Sequence, residues 1–139
     1  MSNLKKAKNL LHNGDFTCVL VKDEEIYTSL SRGIKPLADW YKSATDFEGF
    51  SAADKVVGKG AAFIYALLNI EALWADVISR SALEVLEKHG IKTEYQTLVE
   101  NIKNRSGDGI CPFEAAVLDI GNAFDAWNAI LNKMKELGI

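Results

Sequence analysis

The chain has 139 residues, 48% apolar and 25% charged, with a formal net charge of −3. That length suits one globular domain, expected over residues 1–139, able to bury a core without disulfides or metals. The small, mixed charge argues against duplex nucleic acid as a partner: the basic cluster Lys5, Lys6 and Lys8 is too short to form a binding face.

Leu4, Ala7, Leu10 and Leu11 form one apolar stripe and predict a helix over residues 2–12, stopped by Asn13-Gly14. Phe16–Val21 is nearly continuous in apolar residues and predicts an inner strand. Asp23-Glu24-Glu25 reads as a turn, with Ile26–Leu30 as the hairpin partner. After Gly33, Pro36 suits the first turn of a helix to about Ser43. A loop over residues 45–50 precedes a longer predicted helix, Ala52 to about Asn69, with Val57, Ala61, Ile64 and Leu68 on its buried face. Leu73–Ile78 reads as a strand, Ser81–Lys88 as a helix ended by His89-Gly90, Lys92–Tyr95 as a short strand, and Leu98–Lys103 as a helix.

Asn104–Gly109 is a loop by composition, and Cys111-Pro112 opens a helix that is interrupted near Gly121. The last helix, Ala123 to about Leu137, is expected to bury Phe124, Trp127, Ile130, Leu131 and Met134. The unit from Leu73 to Tyr95 has βαβ form. The fold class is therefore α/β, a three-layer mixed sheet with helices on both faces. No apolar run approaches the ~18 residues of a membrane span, since the longest, Ala61–Ile70, is broken by Asn69. No apolar segment follows the basic N-terminus, so no membrane association and a cytoplasmic location are expected, with Cys18 and Cys111 as free thiols.

Two segments carry the chemistry. In Asp54–Gly60, read as a helix start, Lys55 and Lys59 are i, i+4 neighbours near a positive dipole end, and Gly58 and Gly60 weaken the helix further. An anion held at the helix start would offset these choices. Solvated lysines and glycine-mediated packing are the other reading, and Ser51-x-x-Asp54 fits a capping box. The segment is not a phosphate-binding P-loop. In Asn104–Glu114, Arg105 suits a carboxylate or phosphate, Asp108 a hydroxyl or amine, and Cys111 opens a helix, where a thiol is a candidate nucleophile. Equally, Pro112 and Glu114 are ordinary helix-start residues, Asn104 and Asp108 suit turns, and Cys111 suits packing. His12 and His89 sit beside helix-ending glycines and read as structural.

The runs Asp54-Lys-Val-Val-Gly-Lys-Gly-Ala-Ala62 and Asn104-Arg-Ser-Gly-Asp-Gly-Ile-Cys-Pro-Phe-Glu114 resemble a small uncharacterised prokaryotic family with a cytidine-deaminase-like fold, over roughly residues 15 to 120. The resemblance implies that fold and no established activity. A zinc deaminase needs a His or Cys two residues before a catalytic Glu at one helix start, and Pro-Cys-x-x-Cys at the next. Asp54–Lys59 and Ser79–Leu83 contain none of these. No metal site, no cofactor and no zinc deaminase activity are expected. The predicted site is one cleft built from Asp54, Lys55, Lys59, Asn104, Arg105, Asp108 and Cys111. It would bind or sense a small anionic molecule, nucleotide-like by fold analogy. An enzyme using Cys111, a protein-interaction module and a homodimer remain alternatives.

Overall fold

The computed structural model describes residues 1–139. Its elements are α1 (Asn3–Asn13), β1 (Cys18–Lys22), β2 (Glu25–Ser29), α2 (Lys35–Lys42), β3 (Ser51–Val57), α3 (Lys59–Leu67), β4 (Ala72–Ser79), α4 (Arg80–Lys88), β5 (Lys92–Val99), α5 (Pro112–Ala116) and α6 (Ala123–Leu137). The five strands form one sheet in the order β2-β1-β3-β4-β5. β1 runs antiparallel to β2 and β3, whereas β3, β4 and β5 are parallel. Two successive βαβ units, through α3 and α4, build the parallel half.

Both faces of the sheet carry helices. On one, Ala7 and Leu11 of α1 pack with Val19, Val21, Ala53 and Trp74. On the other, α2 through α6 close a larger core containing Leu20, Ala52, Phe63, Ile64, Tyr65, Leu73 and Ile78. Helix α1 starts at Ser2, whose hydroxyl accepts from Lys5 N at 3.1 Å, and the chain leaves it at Gly14.

The main departure from the expected elements lies at residues 52–69. Ser51–Val57 is a strand, and the helix begins only at Lys59. Ala and Lys favour helix locally and Asp is uncommon in strands, but here pairing decides: Cys18 stands opposite Asp54 on one side, and Ala75 beside it on the other. The small side chains of Ala52 and Ala53 face the two helical layers from opposite sides of the strand. Ser51 and Asp54 therefore form no capping box, and Lys55 and Lys59 are not neighbours on a helix.

Residues 98–103 are a second correction. β5 continues through Val99, extending its ladder with Ser79, and Lys103 then bridges Ile110 across a small hairpin. Phe124 is a third: α6 buries Ala126, Ile130 and Met134 at four-residue intervals, and Phe124 lies off that stripe, 71% exposed. Trp127 packs edge-on against Tyr41, 4.7 Å between ring centres.

Candidate functional site

Helix α1 packs across β1, β3 and β4 and leaves the carboxyl ends of the parallel strands open. Side-chain alternation breaks there. Ala52 and Asp54 face the helix-rich side and Ala53 faces α1, so Val56 should point inward. Instead Val56 is 47% exposed and Val57 enters the core. β4 makes the same change in register: Ala75 and Ile78 are core, whereas Asp76 and Val77 are partly exposed. An open groove of about 740 Å³ results, floored by Val56, Val77 and Val99 and walled by Glu100–Lys103 and Gly107–Ile110. It lies on the open face of the sheet, over the carboxyl-end residues of β3, β4 and β5.

The wall is a polar hairpin tied to itself. The Asn104 amide and the Ser106 hydroxyl donate to Asp108 Oδ1 at 3.1 and 2.8 Å, and Asn104 Oδ1 accepts from Asp108 N at 3.2 Å. The Ser106 and Asn104 bonds hold the Asp108 carboxyl below its usual range. Gly107 closes the turn at φ 76°, where a side chain would be strained. Asn104, Arg105 and Asp108 thus share one loop, and Lys55 adjoins Val56 of the floor. Of the seven expected site residues only Asp108 lines the groove. Lys59 lies at the start of α3 and donates to Leu118 O at 2.6 Å. Cys111 is half-buried, caps a helix of five residues and makes no side-chain cap bond. Asp54 faces the core.

Asp54 belongs to a buried chain of polar groups. Tyr65 Oη donates to Asp54 Oδ2 at 2.6 Å, the Cys18 thiol lies 3.0 Å from that hydroxyl, and Val56 N donates to Asp54 Oδ1 at 3.2 Å. Burial raises the carboxyl from 3.8 to about 6, opposed by the bonds from Tyr65 and Val56 N. Burial first, and the Asp54 charge second, push the Cys18 thiol and the Tyr65 phenol well up. From the sequence Cys18 was legible only as a free thiol in an inner strand, and Tyr65 was not singled out.

On the α1 face, Asp76 Oδ1 accepts from Trp74 Nε1 at 2.8 Å and lies 2.7 Å from His12 Nε2. Lys8 Nζ stands 3.8 Å over the Trp74 ring. His12 and Asp76 are 64 positions apart, so no local signal could pair them.

The family model for DUF1893, a domain of unknown function, matches residues 6–134. The chain belongs to the DUF1893 family. It is similar to the crystal structure of a DUF1893 family protein from Thermotoga maritima, at 27% identity and a TM-score of 0.88, covering 96% of this chain and 91% of that one. A dCMP deaminase from cyanophage S-TIM5 in complex with dCMP and dUMP is similar at 11% identity and TM-score 0.44, over 66% of this chain and 92% of the other. A diaminohydroxyphosphoribosylaminopyrimidine deaminase/5-amino-6-(5-phosphoribosylamino)uracil reductase from Thermotoga maritima is similar at 16% identity and TM-score 0.41, over 81% and 39%. No curated protein sequence matches the chain. The family read from the two motifs is thus established.

In this DUF1893 domain the helix starts following β3 and β4 read Gly58-Lys59-Gly60 and Ser79-Arg80-Ser81. They offer neither thiolate nor imidazole, and no three His, Cys, Asp or Glu side chains are placed to hold a metal ion. The residues present do not fit a zinc centre. A carboxylate stands there instead: Glu114, 1% exposed, accepts from Ser81 Oγ at 3.0 Å and from Ile102 N at 2.5 Å. Gly58 and Gly60 let α5 approach, since a Cβ on Gly60 would lie 3.0 Å from Phe113 O. Glu114 was read in the sequence as an ordinary helix-start residue; its partner Ile102 fell in a predicted helix that does not exist. No helix of the domain is long and apolar enough to cross a membrane.

Proposed function

We propose that this DUF1893 domain binds or senses a small anionic molecule of nucleotide-like chemistry in the groove over the carboxyl-end residues of β3, β4 and β5. The observation that carries this reading is the groove itself, about 740 Å³ with Val56, Val77 and Val99 as its floor. That size suits a small ligand, and an apolar floor suits a flat ring. Lys103 lines the groove, Arg105 belongs to the wall loop and Lys55 precedes Val56 of the floor; none of the three enters an ion pair, so they are free to attract an anionic group. Asp108 is poised as an acceptor for a ligand hydroxyl or amine. The residues at the two helix starts argue against zinc deaminase chemistry.

Cys111 has weaker support as a nucleophile, because no base touches its sulfur. A protein-interaction role, a homodimer included, is favoured by the exposed Phe124 on α6 and is tested by light scattering of the Phe124→Ser variant.

Thermal unfolding with nucleoside monophosphates, nucleosides and inorganic phosphate tests the main reading. A monophosphate is expected to raise Tm saturably, and more than its nucleoside does. Val56→Glu should abolish the rise, and Lys103→Ala with Arg105→Ala should weaken it. No saturable rise, or an equal rise in Val56→Glu, would remove the groove as the site.

A further inference from the structure

We propose that Asp54 is the positioning residue of the groove: its carboxylate, locked by the Tyr65 hydroxyl, holds the Val56 N–H and so keeps Val56 on the open face of the sheet. The importance of this role rests on the ligand-binding reading, but its geometry does not. The change of face in β3 occurs at the residues spanned by the bond between Asp54 Oδ1 and Val56 N. A side-chain bond from residue i to the i+2 N–H competes with the regular strand pattern. A slip of one residue moves a side chain to the opposite face. The other carboxylate oxygen is fixed independently by Tyr65 at 2.6 Å. Rotating the carboxylate away from Val56 would therefore break a second buried bond.

Asp54 is faced by Cys18 from β1 and Tyr65 from α3, and the charge of Asp76 on the α1 face of β4 reaches it through the sheet. It forms no ion pair. Burial places its protonation at about 6, so acidification converts a charged acceptor into a neutral acid, and a neutral acid holds an N–H more weakly. The floor of the groove should loosen as pH falls through this value. The Asp54→Asn variant separates the contribution of Asp54 from that of the His12–Asp76 pair on the α1 face.

Amide and methyl NMR spectra of the full chain across about pH 4.5–7.5 test the role without a ligand. The Val56 amide should move with a midpoint near the Asp54 value of about 6. The Val77 and Val99 methyl signals should move with it. Tyr65→Phe should raise the midpoint by roughly one unit, by removing a bond to the charged form. Asp54→Asn should abolish the movement. Should Tyr65→Phe fail to fold, the wild-type and Asp54→Asn titrations decide alone. A Val56 amide that does not titrate, or titrates without the groove methyls, overturns the proposal. An intact titration in a domain that binds no nucleoside monophosphate sinks the ligand reading and leaves Asp54 in its role.

Discussion

Glu114 and Asp54 are both buried carboxylates, each accepting one hydroxyl and one backbone N–H, and neither is in an ion pair. Their surroundings differ. Glu114 stands at the starts of α3 and α4, beside Gly58 and Ser81, where helix dipoles favour negative charge. Asp54 lies in the middle of a central strand with no helix start aimed at it, and burial drives its protonation up to about 6. The first carboxylate ties α5 to the β5–α5 connection and α4. The second is a group whose charge state can change near neutral pH. The two look alike in burial and differ in what their bonds join.

The largest expected effect comes from cutting the tie. Glu114→Ala would leave the Ile102 N–H and the Ser81 hydroxyl without their acceptor, and should cost about 4 kcal/mol in denaturant unfolding, from roughly 1–3 kcal/mol per stranded donor plus lost packing. Glu114→Gln keeps one acceptor oxygen and should cost about half as much. A loss under about 1 kcal/mol for Glu114→Ala would show that water replaces the carboxylate.

Asp54 should act through pH instead. Its folded-state value of about 6 lies above the ordinary 3.8, so the native state binds the extra proton between them. Stability from this group is full below about pH 4 and is lost as pH rises through about 6, by about 3 kcal/mol. Asp54→Asn should flatten that part of the stability profile. An unchanged slope between pH 4 and 6 in the variant would assign it to other groups.

How much of this was legible in the sequence follows from how local each signal is. The stripe of α1, the hairpin, the break at Gly121 and the βαβ unit from Leu73 are written in neighbouring residues, and all stand. β3 is not, because its partners Cys18 and Ala75 lie far along the chain and its Ala-Ala-Asp-Lys stretch carries no strand signal of its own. The loop Asn104–Asp108 was recognisable from composition. Asp54 was singled out as part of a helix start; its actual partners, Tyr65 and Val56, became meaningful only once it lay on a strand. Cys18 and Tyr65, 47 positions apart, meet only in the fold. Glu114 looked ordinary because a helix-start glutamate is common, and nothing near it announced Ile102.

The smallest effect discriminates most finely. Gly60 is the second residue of α3, and alanine there should favour the helix by roughly 0.5–1 kcal/mol. Space opposes it: the added Cβ would lie 3.0 Å from Phe113 O, 3.2 Å from Ile34 Cδ1 and 3.3 Å from Phe113 Cβ. The Ile34 methyl can rotate aside, but a backbone oxygen moves only with α5. Overpacking of this kind costs roughly 1–3 kcal/mol, so Gly60→Ala should destabilise by about 1–2 kcal/mol net. Gly121→Ala, where a Cβ meets nothing within 4 Å, should cost far less. Because Glu114 follows Phe113 directly, pushing α5 outward also stretches the Glu114 bonds. The cost of Gly60→Ala should therefore shrink in a Glu114→Ala background, a coupling expected of residues sharing one displacement. The Val56 amide titration, set by Asp54 in β3, should survive unchanged in Gly60→Ala. Full additivity would separate the glycine from the tie, and a shifted Val56 midpoint would show that the two carboxylates respond as one.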